Sequence, residues 1–323
     1  MHTSAQLYKE GIQPPSMKIL VVEKDKIHPD GLKLLEQKGH NITSCSAQDL
    51  PTRDLETTQV LLTSVTGLLT RGIIEKATGL QAIISASVGL DHIDQEACKE
   101  HNIPVFHAPG SNANAVATHT IALLFAVLRK VAAADAHVRQ GKWNREQYFG
   151  QDLDNKVLGL VGFGHIGRQV AKRLSGFAIS VIVYDPLLTK EQVEQHPDLK
   201  GIPVKKVDAL EVLLKAADII SIHVPLLEST RNLINKKEFA VMKPTTILLN
   251  TSRGPVVNEA ALLDALKHRI YGAGLDVFDK EPTINPAFFA LENVVVTPHI
   301  AAMTTDARRA MGIEAVKAFL RSF

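Results

Sequence analysis

Three ionisable side chains, His299, Arg253 and Glu281, follow strand-like runs in the second half of the sequence. His299 comes after "VVVTP", Arg253 after "TTILLN" and Glu281 after "GAGLDVF". A proline ends a strand because it has no N–H to donate to the ladder. The carboxyl ends of parallel strands meet at one edge of a sheet, where ligands bind. We therefore expect a cation, a carboxylate and an imidazole to lie together at such an edge.

This set of side chains suits the reduction of a 2-oxo acid. Arginine binds a carboxylate through two parallel hydrogen bonds. Histidine changes its protonation state near neutral pH, so it can protonate an alkoxide and later take the proton back. A neighbouring glutamate would hold the ring and stabilise its charged form. Each residue alone would more simply be structural, so the hypothesis depends on all three meeting.

A glycine-rich motif predicts the cofactor site. "GLVGFGHIG" places Gly162, Gly164 and Gly167 in the spacing GxGxxG, after an apolar strand and at the start of a helix. The first glycine allows a tight turn, the second lets a pyrophosphate approach the backbone, and the third permits close packing of the helix. His165 and Ile166 would offer backbone N–H groups at the helix N-terminus, where a phosphate is favoured.

Asp185 determines the expected choice of dinucleotide. It ends the run "SVIVYD", 18 residues after Gly167, close to the spacing of the acid that binds the ribose 2′-hydroxyl. Its carboxylate would repel a 2′-phosphate, and no arginine lies nearby in the sequence to reverse that preference. We therefore expect NAD rather than NADP.

Strand-like runs alternate with amphipathic segments through most of the chain, which predicts an α/β fold with parallel sheets. We expect strands at 18–23, 59–64, 80–87, 103–108, 156–161, 180–185, 218–224, 245–250, 272–278 and 293–298, with Val294–Val296 buried. Helices are expected at 28–39, 111–143 and 304–320, the second as one long spine.

The long helix and the second series of strands predict two Rossmann-like, doubly wound domains with an active-site cleft between them. The boundaries are a discontinuous substrate-binding domain, 1–110 plus 300–323, and an NAD-binding domain, 111–299. The final helix would return to the first domain, giving two chain crossings and a hinge.

Composition excludes several classes of function. The 323 residues carry a net charge of +2 from 36 basic and 34 acidic residues, which implies neither a nucleic-acid nor a membrane partner. Cys45 and Cys98 make neither a disulfide framework nor a metal site and suit the cytoplasm. Residues 1–16 do not have the pattern of a secretory signal; we interpret them as a loose or locally docked leader.

The sequence resembles the D-isomer-specific 2-hydroxyacid dehydrogenase family over nearly its whole length. The resemblance lies in "SVGLDHID", "APGSNANAVATHTIAL", "GLVGFGHIG", "HVPLLEST", "NTSRGPVVNEAAL", "GLDVFDKEP" and "TPHIAA". It implies that Arg253 binds the substrate carboxylate and carbonyl, that Glu281 pairs with the acid/base His299, and that the backbone amides of Val88 and Gly89 hold the carboxylate from the first domain.

The resemblance also implies contacts with NAD and an assembly. The residues expected at the cofactor, besides the glycine loop and Asp185, are Val224 along the adenosine, Thr251, Ser252 and Asp276 at the nicotinamide end, and Ala301. Family members are typically homodimers joined through the cofactor domain, with the helix at 111–130 contributing.

Four positions depart from the patterns of the family or of one branch. Thr118 stands where glutamate is frequent, and Ser87 replaces the first glycine of the substrate loop. Thr63 and Ser85 occupy positions where the D-3-phosphoglycerate dehydrogenase branch often has arginine.

We therefore expect a small 2-oxo acid such as glyoxylate or hydroxypyruvate as substrate. D-3-phosphoglycerate dehydrogenase remains the alternative, with Arg53 or Arg71 as phosphate ligands. A second alternative, from another class, is an NAD-binding transcriptional co-regulator of this fold.

Overall fold

The computed structural model describes residues 16–323, so the predicted leader falls almost entirely outside the described residues. The chain divides into two compact units, one made of the chain up to Asn112 together with Met303–Phe323, the other of Ala113–Ala302. Each unit is an α/β layer structure around one all-parallel sheet. The predicted fold class is confirmed.

The elements of regular structure follow one another in chain order as β-α repeats. The strands are β1 Lys18–Val22, β2 Asn41–Cys45, β3 Val60–Thr63, β4 Ala82–Ser85, β5 Val105–Phe106, β6 Val157–Val161, β7 Ser180–Tyr184, β8 Val204–Lys206, β9 Ile219–Ile222, β10 Ile247–Asn250, β11 Gly272–Leu275 and β12 Val294–Val296. The α-helices are α1 Pro29–Gln37, α2 Arg71–Lys76, α3 Gln95–Glu100, α4 Ala113–Leu128, α5 Val131–Arg139, α6 His165–Leu174, α7 Lys190–Glu194, α8 Leu210–Ala216, α9 Lys236–Val241, α10 Glu259–His268 and α11 Thr305–Leu320.

The first unit has the strand order β2-β1-β3-β4-β5, a doubly wound arrangement with a crevice at the carboxyl ends of the strands. The central strands β3 and β4 are buried along their whole length. The C-terminal helix α11 packs against α1. A Cβ on Gly31 would lie 2.9 Å from the carbonyl oxygen of Gly312, so α1 needs glycine where the two helices touch.

The second unit has the strand order β12-β11-β10-β9-β6-β7-β8, which is the dinucleotide-binding order with one further strand. Helix α4 packs against β10 and β11. A Cβ on Gly274 would lie 2.9 Å from Cβ of Leu123, so the helix lies almost on the backbone of the sheet. The carboxyl ends of β6, β7, β10, β11 and β12 all meet at one edge.

The single helix expected over 111–143 is wrong. The structure divides it into α4 and α5, with a bend of 64° between them. Lys130 at the break has φ +53° and is the N-cap residue of α5, and this left-handed conformation cannot continue a right-handed helix. Among the described helices none is long and apolar enough to cross a membrane by itself, and only the bent pair α4–α5 meets that test of length and composition.

The edges of both sheets also differ from the prediction. Val294–Val296 form the edge strand β12 and are only partly buried, because an edge strand has a neighbour on one side alone. The strands β2 and β8 were not predicted. Both are edge strands with polar sequences, "NITSC" and "VKK", which lack the apolar run that identifies a buried strand.

Candidate active site

The turn after β10 holds Arg253 at the carboxyl edge of the second sheet. Asn250, the last residue of the strand, is buried. Its side-chain oxygen accepts hydrogen bonds from the backbone N–H of Ser252 at 3.1 Å and from its hydroxyl at 2.8 Å. Its amide nitrogen donates to the carbonyl oxygen of Arg253 at 3.0 Å. Asn250 therefore fixes the backbone from which the Arg253 side chain leaves the sheet.

Gly254 brings this turn against the segment that carries Glu281. A Cβ on Gly254 would lie 2.0 Å from the carbonyl carbon of Phe278, so no other residue fits there without moving one of the two segments. Thr251 is buried and its hydroxyl lies 2.8 Å from that of Thr120 in α4. The Arg253 turn is thus fixed on two sides.

His299 and Glu281 form the pair that the sequence predicted. Nδ1 of His299 lies 2.6 Å from Oε2 of Glu281, and the other carboxylate oxygen accepts the backbone N–H of Phe278 at 3.0 Å. An ionised carboxylate can only accept, so Nδ1 carries the proton that is shared with Glu281. Nε2 is the ring nitrogen that remains for exchange with a substrate. Half of the His299 side chain is exposed, 51%.

Asp276, which is fully buried, holds the loop that carries His299 through hydrogen bonds. Its carboxylate accepts hydrogen bonds from the hydroxyl of Thr297 at 2.6 Å and from the N–H groups of Ile300 at 2.9 Å and Ala301 at 2.8 Å. These bonds hold His299 at φ +54°, a left-handed conformation that costs a residue with a side chain some energy. The cofactor contacts expected of Asp276 and Ala301 stay predictions.

His119 on α4 completes this support. Its Nε2 lies 3.0 Å from the hydroxyl of Thr297 and 3.4 Å from the Asp276 carboxylate. Burial by itself would raise the pKa of Asp276, but the hydrogen bonds from His119, Thr297, Ile300 and Ala301 together lower it. A charged carboxylate therefore stabilises the loop. This stabilisation is lost as the pH falls through the lowered pKa of Asp276. Within the described residues, the hydroxyl of Thr118 donates to the carbonyl of Asn114 in α4 at 2.9 Å and makes no other hydrogen bond.

The glycine loop has the shape that a dinucleotide requires. Gly162 has φ +93°, and a Cβ there would lie 2.7 Å from the carbonyl oxygen of His223. A Cβ on Gly167 would lie 2.7 Å from the carbonyl oxygen of Gly162, whereas a Cβ on Gly164 would meet nothing within 4 Å. Gly162 and Gly167 are thus needed for the turn itself, and Gly164 leaves open space at the N-terminus of α6.

The first N–H groups of α6 face this space. Within the described residues, the N–H groups of His165 and Ile166 make no hydrogen bond, and such donors bind phosphate. Val224 lies beside Gly162, with Cγ1 2.9 Å from the position of the added Cβ. His223 has its Nδ1 buried without a partner in the described part of the chain, and burial lowers its pKa to about 3. These features fit a dinucleotide.

Asp185 stands beside the same loop. Its two carboxylate oxygens accept the N–H groups of Phe163 at 2.9 Å and of Leu187 at 3.0 Å. The sequence showed no arginine close after Asp185, but the structure brings one in from α6: Arg168 donates to the carbonyl oxygen of Phe163 at 3.0 Å and lies 3.3 Å from Asp198. Arg168 lies 17 residues before Asp185 in the sequence and reaches the loop only through the fold.

The predicted substrate loop lies in the first unit, after β4, and its carbonyl groups are all held. Ser87 O accepts from the N–H of Ala108 at 3.0 Å, Val88 O accepts from Nδ1 of His107 at 3.1 Å, and Gly89 O accepts from the hydroxyl of Ser87 at 2.6 Å. Three consecutive peptide groups are thereby fixed in orientation.

The N–H groups of these peptides point the opposite way. In a planar trans peptide the C=O and the following N–H are antiparallel, so the N–H groups of Val88, Gly89 and Leu90 face away from the three donors. None of them donates to any described residue. The loop therefore presents adjacent backbone donors suited to an anion, and the binding of a substrate carboxylate by Val88 and Gly89 stays a prediction.

A family model described as "D-isomer specific 2-hydroxyacid dehydrogenase, NAD binding domain" matches residues 121–301. The chain belongs to the D-isomer-specific 2-hydroxyacid dehydrogenase family. This confirms the resemblance seen in the motifs, and the dehydrogenases and reductases of this family are oxidoreductases.

Relatives in the family carry different substrate names. The chain is 40% identical over 308 residues to a glyoxylate reductase of Thermococcus litoralis, covering 91% of each chain. It is 38% identical over 310 residues to a D-3-phosphoglycerate dehydrogenase of Methanocaldococcus jannaschii, covering 94% of this chain and 58% of that relative. The chain thus spans a little over half of the second relative's length.

A solved structure of the family adds a cofactor name. An NADPH-dependent glyoxylate/hydroxypyruvate reductase of Sinorhizobium meliloti, in complex with NADP and malonate, superposes with a TM-score of 0.81 at 30% identity, covering 95% of this chain and 94% of that one. The family model names NAD, whereas this relative is named as NADPH-dependent, so the choice of dinucleotide differs among members of the family.

Proposed function

We propose that the chain is an NAD-dependent D-2-hydroxyacid dehydrogenase that transfers hydride reversibly between NADH and a small 2-oxo acid of the glyoxylate or hydroxypyruvate type. The observation that carries this proposal is the 2.6 Å contact between Nδ1 of His299 and Glu281. It belongs to the same sheet edge as the Arg253 turn and the glycine loop. A proton donor, a cation and a dinucleotide turn are the parts that this reaction requires.

In this mechanism the residues at the site have distinct tasks. The guanidinium of Arg253 binds the substrate carboxylate and polarises the carbonyl, and the N–H groups of Val88 and Gly89 bind the carboxylate as well. In reduction, Nε2 of His299 gives its proton to the carbonyl oxygen of the 2-oxo acid as hydride reaches the carbonyl carbon. In oxidation, Nε2 takes a proton from the hydroxyl group of the 2-hydroxy acid. Glu281 orients the ring and balances its charge. Bound NADH supplies the hydride.

The glycine loop and Asp185 are the residues that we assign to the cofactor, together with Val224, Thr251 and Ser252. The N–H groups of His165 and Ile166 would hold the pyrophosphate. The carboxylate of Asp185 has accepting capacity beyond the two backbone bonds it makes, since each oxygen has two lone pairs. The ribose hydroxyls would donate hydrogen bonds to the remaining lone pairs of Asp185.

We assign residues 111–299 to NAD binding and residues 1–110 with 300–323 to substrate binding.

The cofactor preference follows from charge. NADH should give a kcat/KM at least about tenfold above that of NADPH, because the Asp185 carboxylate repels a 2′-phosphate. Asp185→Ser should narrow the ratio of the two kcat/KM values, since it removes the repelling carboxylate from a loop that Arg168 also contacts. Asp208→Ser, which removes an exposed carboxylate paired with Lys206, is the control. A wild-type preference for NADPH would contradict the assignment.

The substrate class follows from the strand ends of the first unit. Thr63 and Ser85, at positions where the phosphoglycerate branch often has arginine, are fully buried, and both use their hydroxyls in internal hydrogen bonds. Arg71 is paired with Glu100 and lies 3.6 Å from Glu75. Arg53 donates to the carbonyl oxygen of Ser44 at 3.4 Å. Arg71 is therefore already paired with carboxylates, which disfavours the binding of a substrate phosphate by this arginine.

Hydroxypyruvate should therefore be the better substrate than 3-phosphohydroxypyruvate, by at least about tenfold in kcat/KM with NADH, because a phosphate without a cationic partner loses its hydration uncompensated. The two compounds differ only in the phosphate, so the ratio isolates that group. Glyoxylate and pyruvate extend the series. A ratio that favours the phosphorylated compound would assign the chain to the phosphoglycerate branch.

We also propose a homodimer formed through the cofactor unit. Large apolar side chains are exposed on the segment that starts at α5 and ends before β6, among them Val131, Val138, Trp143 and Phe149. Trp143 is 82% exposed. Exposure of such a large apolar side chain to water is unfavourable, and a second copy of the chain would bury it. Light scattering on the purified chain measures the mass of the assembly.

A cytoplasmic location without nucleic-acid or membrane partners stays a prediction from composition.

A further inference from the structure

The buried residues Ser85, Ser87 and His92 lie behind the substrate loop of the first unit. Their exposed fractions are 0%, 2% and 8%. We propose that they form a hydrogen-bond relay of fixed direction, from His92 through Ser85 and Ser87 to the carbonyl of Gly89, and that this relay positions the backbone donors for the substrate carboxylate. The inference rests on the proposed function of that loop.

The direction of the relay follows from counting protons. The carbonyl oxygen of Gly89 can only accept, so the single hydroxyl proton of Ser87 lies in the 2.6 Å contact between them. The 2.7 Å contact between the hydroxyls of Ser85 and Ser87 must then use the proton of Ser85. Ser85 has no proton left for the ring of His92, 3.0 Å away. Nε2 of His92 is therefore the donor.

Such a chain strengthens each of its members. A hydroxyl that accepts a hydrogen bond becomes a better donor, so His92 and Ser85 strengthen the bond from Ser87 to Gly89. That bond fixes the peptide between Gly89 and Leu90, and the two bonds on the preceding carbonyls fix its neighbours. The backbone donors are thus set in place before substrate arrives, which lowers the entropic cost of binding.

Ser87 is the residue through which the relay reaches the loop. We assign it as a positioning residue for substrate binding. Ser87→Ala removes the hydrogen bond to the Gly89 carbonyl. It should raise KM for hydroxypyruvate about fivefold to tenfold, which corresponds to the free energy of roughly one hydrogen bond. The value of kcat should change by less than about twofold, since the proton donor and the hydride donor are untouched. NADH affinity, measured by fluorescence, should not change.

The other variants test that the residues act as one chain. Ser85→Ala should raise KM less than Ser87→Ala does, because Ser87 keeps its own bond to Gly89. The double variant should then resemble Ser87→Ala alone, as expected for coupled residues. Thr58→Ala removes a buried threonine that precedes β3 in the same unit and controls for lost stability. KM effects that multiply in the double variant, or an unchanged KM in Ser87→Ala, would overturn the relay.

The ¹⁵N resonances of the His92 ring test the relay without any turnover. Nε2 should show a bound proton in the wild-type chain throughout the pH range of the folded protein. An unprotonated Nε2 would overturn the relay even if the enzyme reduces 2-oxo acids. Failure of the proposed function is seen separately, as the absence of NADH oxidation by the wild-type chain with every 2-oxo acid.

Discussion

His299→Asn should reduce turnover by about 10²- to 10⁴-fold in both directions, the range that a positioned acid/base contributes. Asparagine is the suitable replacement because the residue at this position has φ +54°, a conformation that asparagine tolerates better than alanine. The change therefore removes the proton carrier with little disturbance of the loop. NADH binding should persist, because the glycine loop and Asp185 are unaltered.

His268→Asn provides the matched control. His268 is exposed at the C-terminal end of α10 in the same unit, and its replacement should leave the rates of reduction and oxidation near those of the wild type. Steady-state rates with NADH and hydroxypyruvate, and with NAD and glycerate, measure both directions. Rates within about threefold of the wild type in His299→Asn would exclude His299 as the acid/base.

Arg253→Ala should lower kcat/KM for every 2-oxo acid by about 10²- to 10³-fold, because a charge-assisted pair with the substrate carboxylate is lost. Arg253→Lys should restore little, since an ammonium group lacks the planar fork that binds a carboxylate with two hydrogen bonds. The turn itself should remain in place, because Asn250 holds the backbone of Arg253 rather than its side chain.

The contrast with other arginines makes the test specific. Arg231 is an exposed arginine of the same unit, and Arg231→Ala should leave kcat/KM unchanged. Saturating 2-oxo acid should only partly rescue Arg253→Ala if the side chain also polarises the carbonyl, so kcat and KM are both measured. A variant with wild-type kcat/KM would show that the carboxylate is bound elsewhere.

The sequence predicted the parts of the fold that bury apolar surface. Central strands such as β4, "AIIS", and β9, "IISI", are buried at every position and have few competing interpretations. The edge strands β2 and β8 did not have that signal, because a strand with one neighbour can be polar. The break at Lys130 was missed because an apolar run shows where a helix is buried, not where its backbone changes direction.

The contact between His299 and Glu281 was predictable because strand ends converge in a parallel sheet. The residues that hold them were not. His119 reaches Thr297 across 178 positions of the sequence, and a histidine inside an apolar helix carries no local sign of that contact. Asn250 gave no signal beyond closing a strand. Asp276 was expected at the cofactor, and the structure shows it fastening the His299 loop, a function that depends on which N–H groups the fold brings to it.

The pH dependence of the two directions tests the central claim, that His299 moves the proton and Glu281 balances its charge. Reduction needs the protonated ring and oxidation the neutral ring, so kcat/KM for reduction should fall and that for oxidation rise through one shared midpoint. Glu281→Gln keeps the shape of the side chain and removes its charge, which destabilises the protonated ring at 2.6 Å. Both midpoints should move together to lower pH in this variant, with NADH affinity unchanged. Midpoints that stay at the wild-type pH, or that move apart, would contradict the claim.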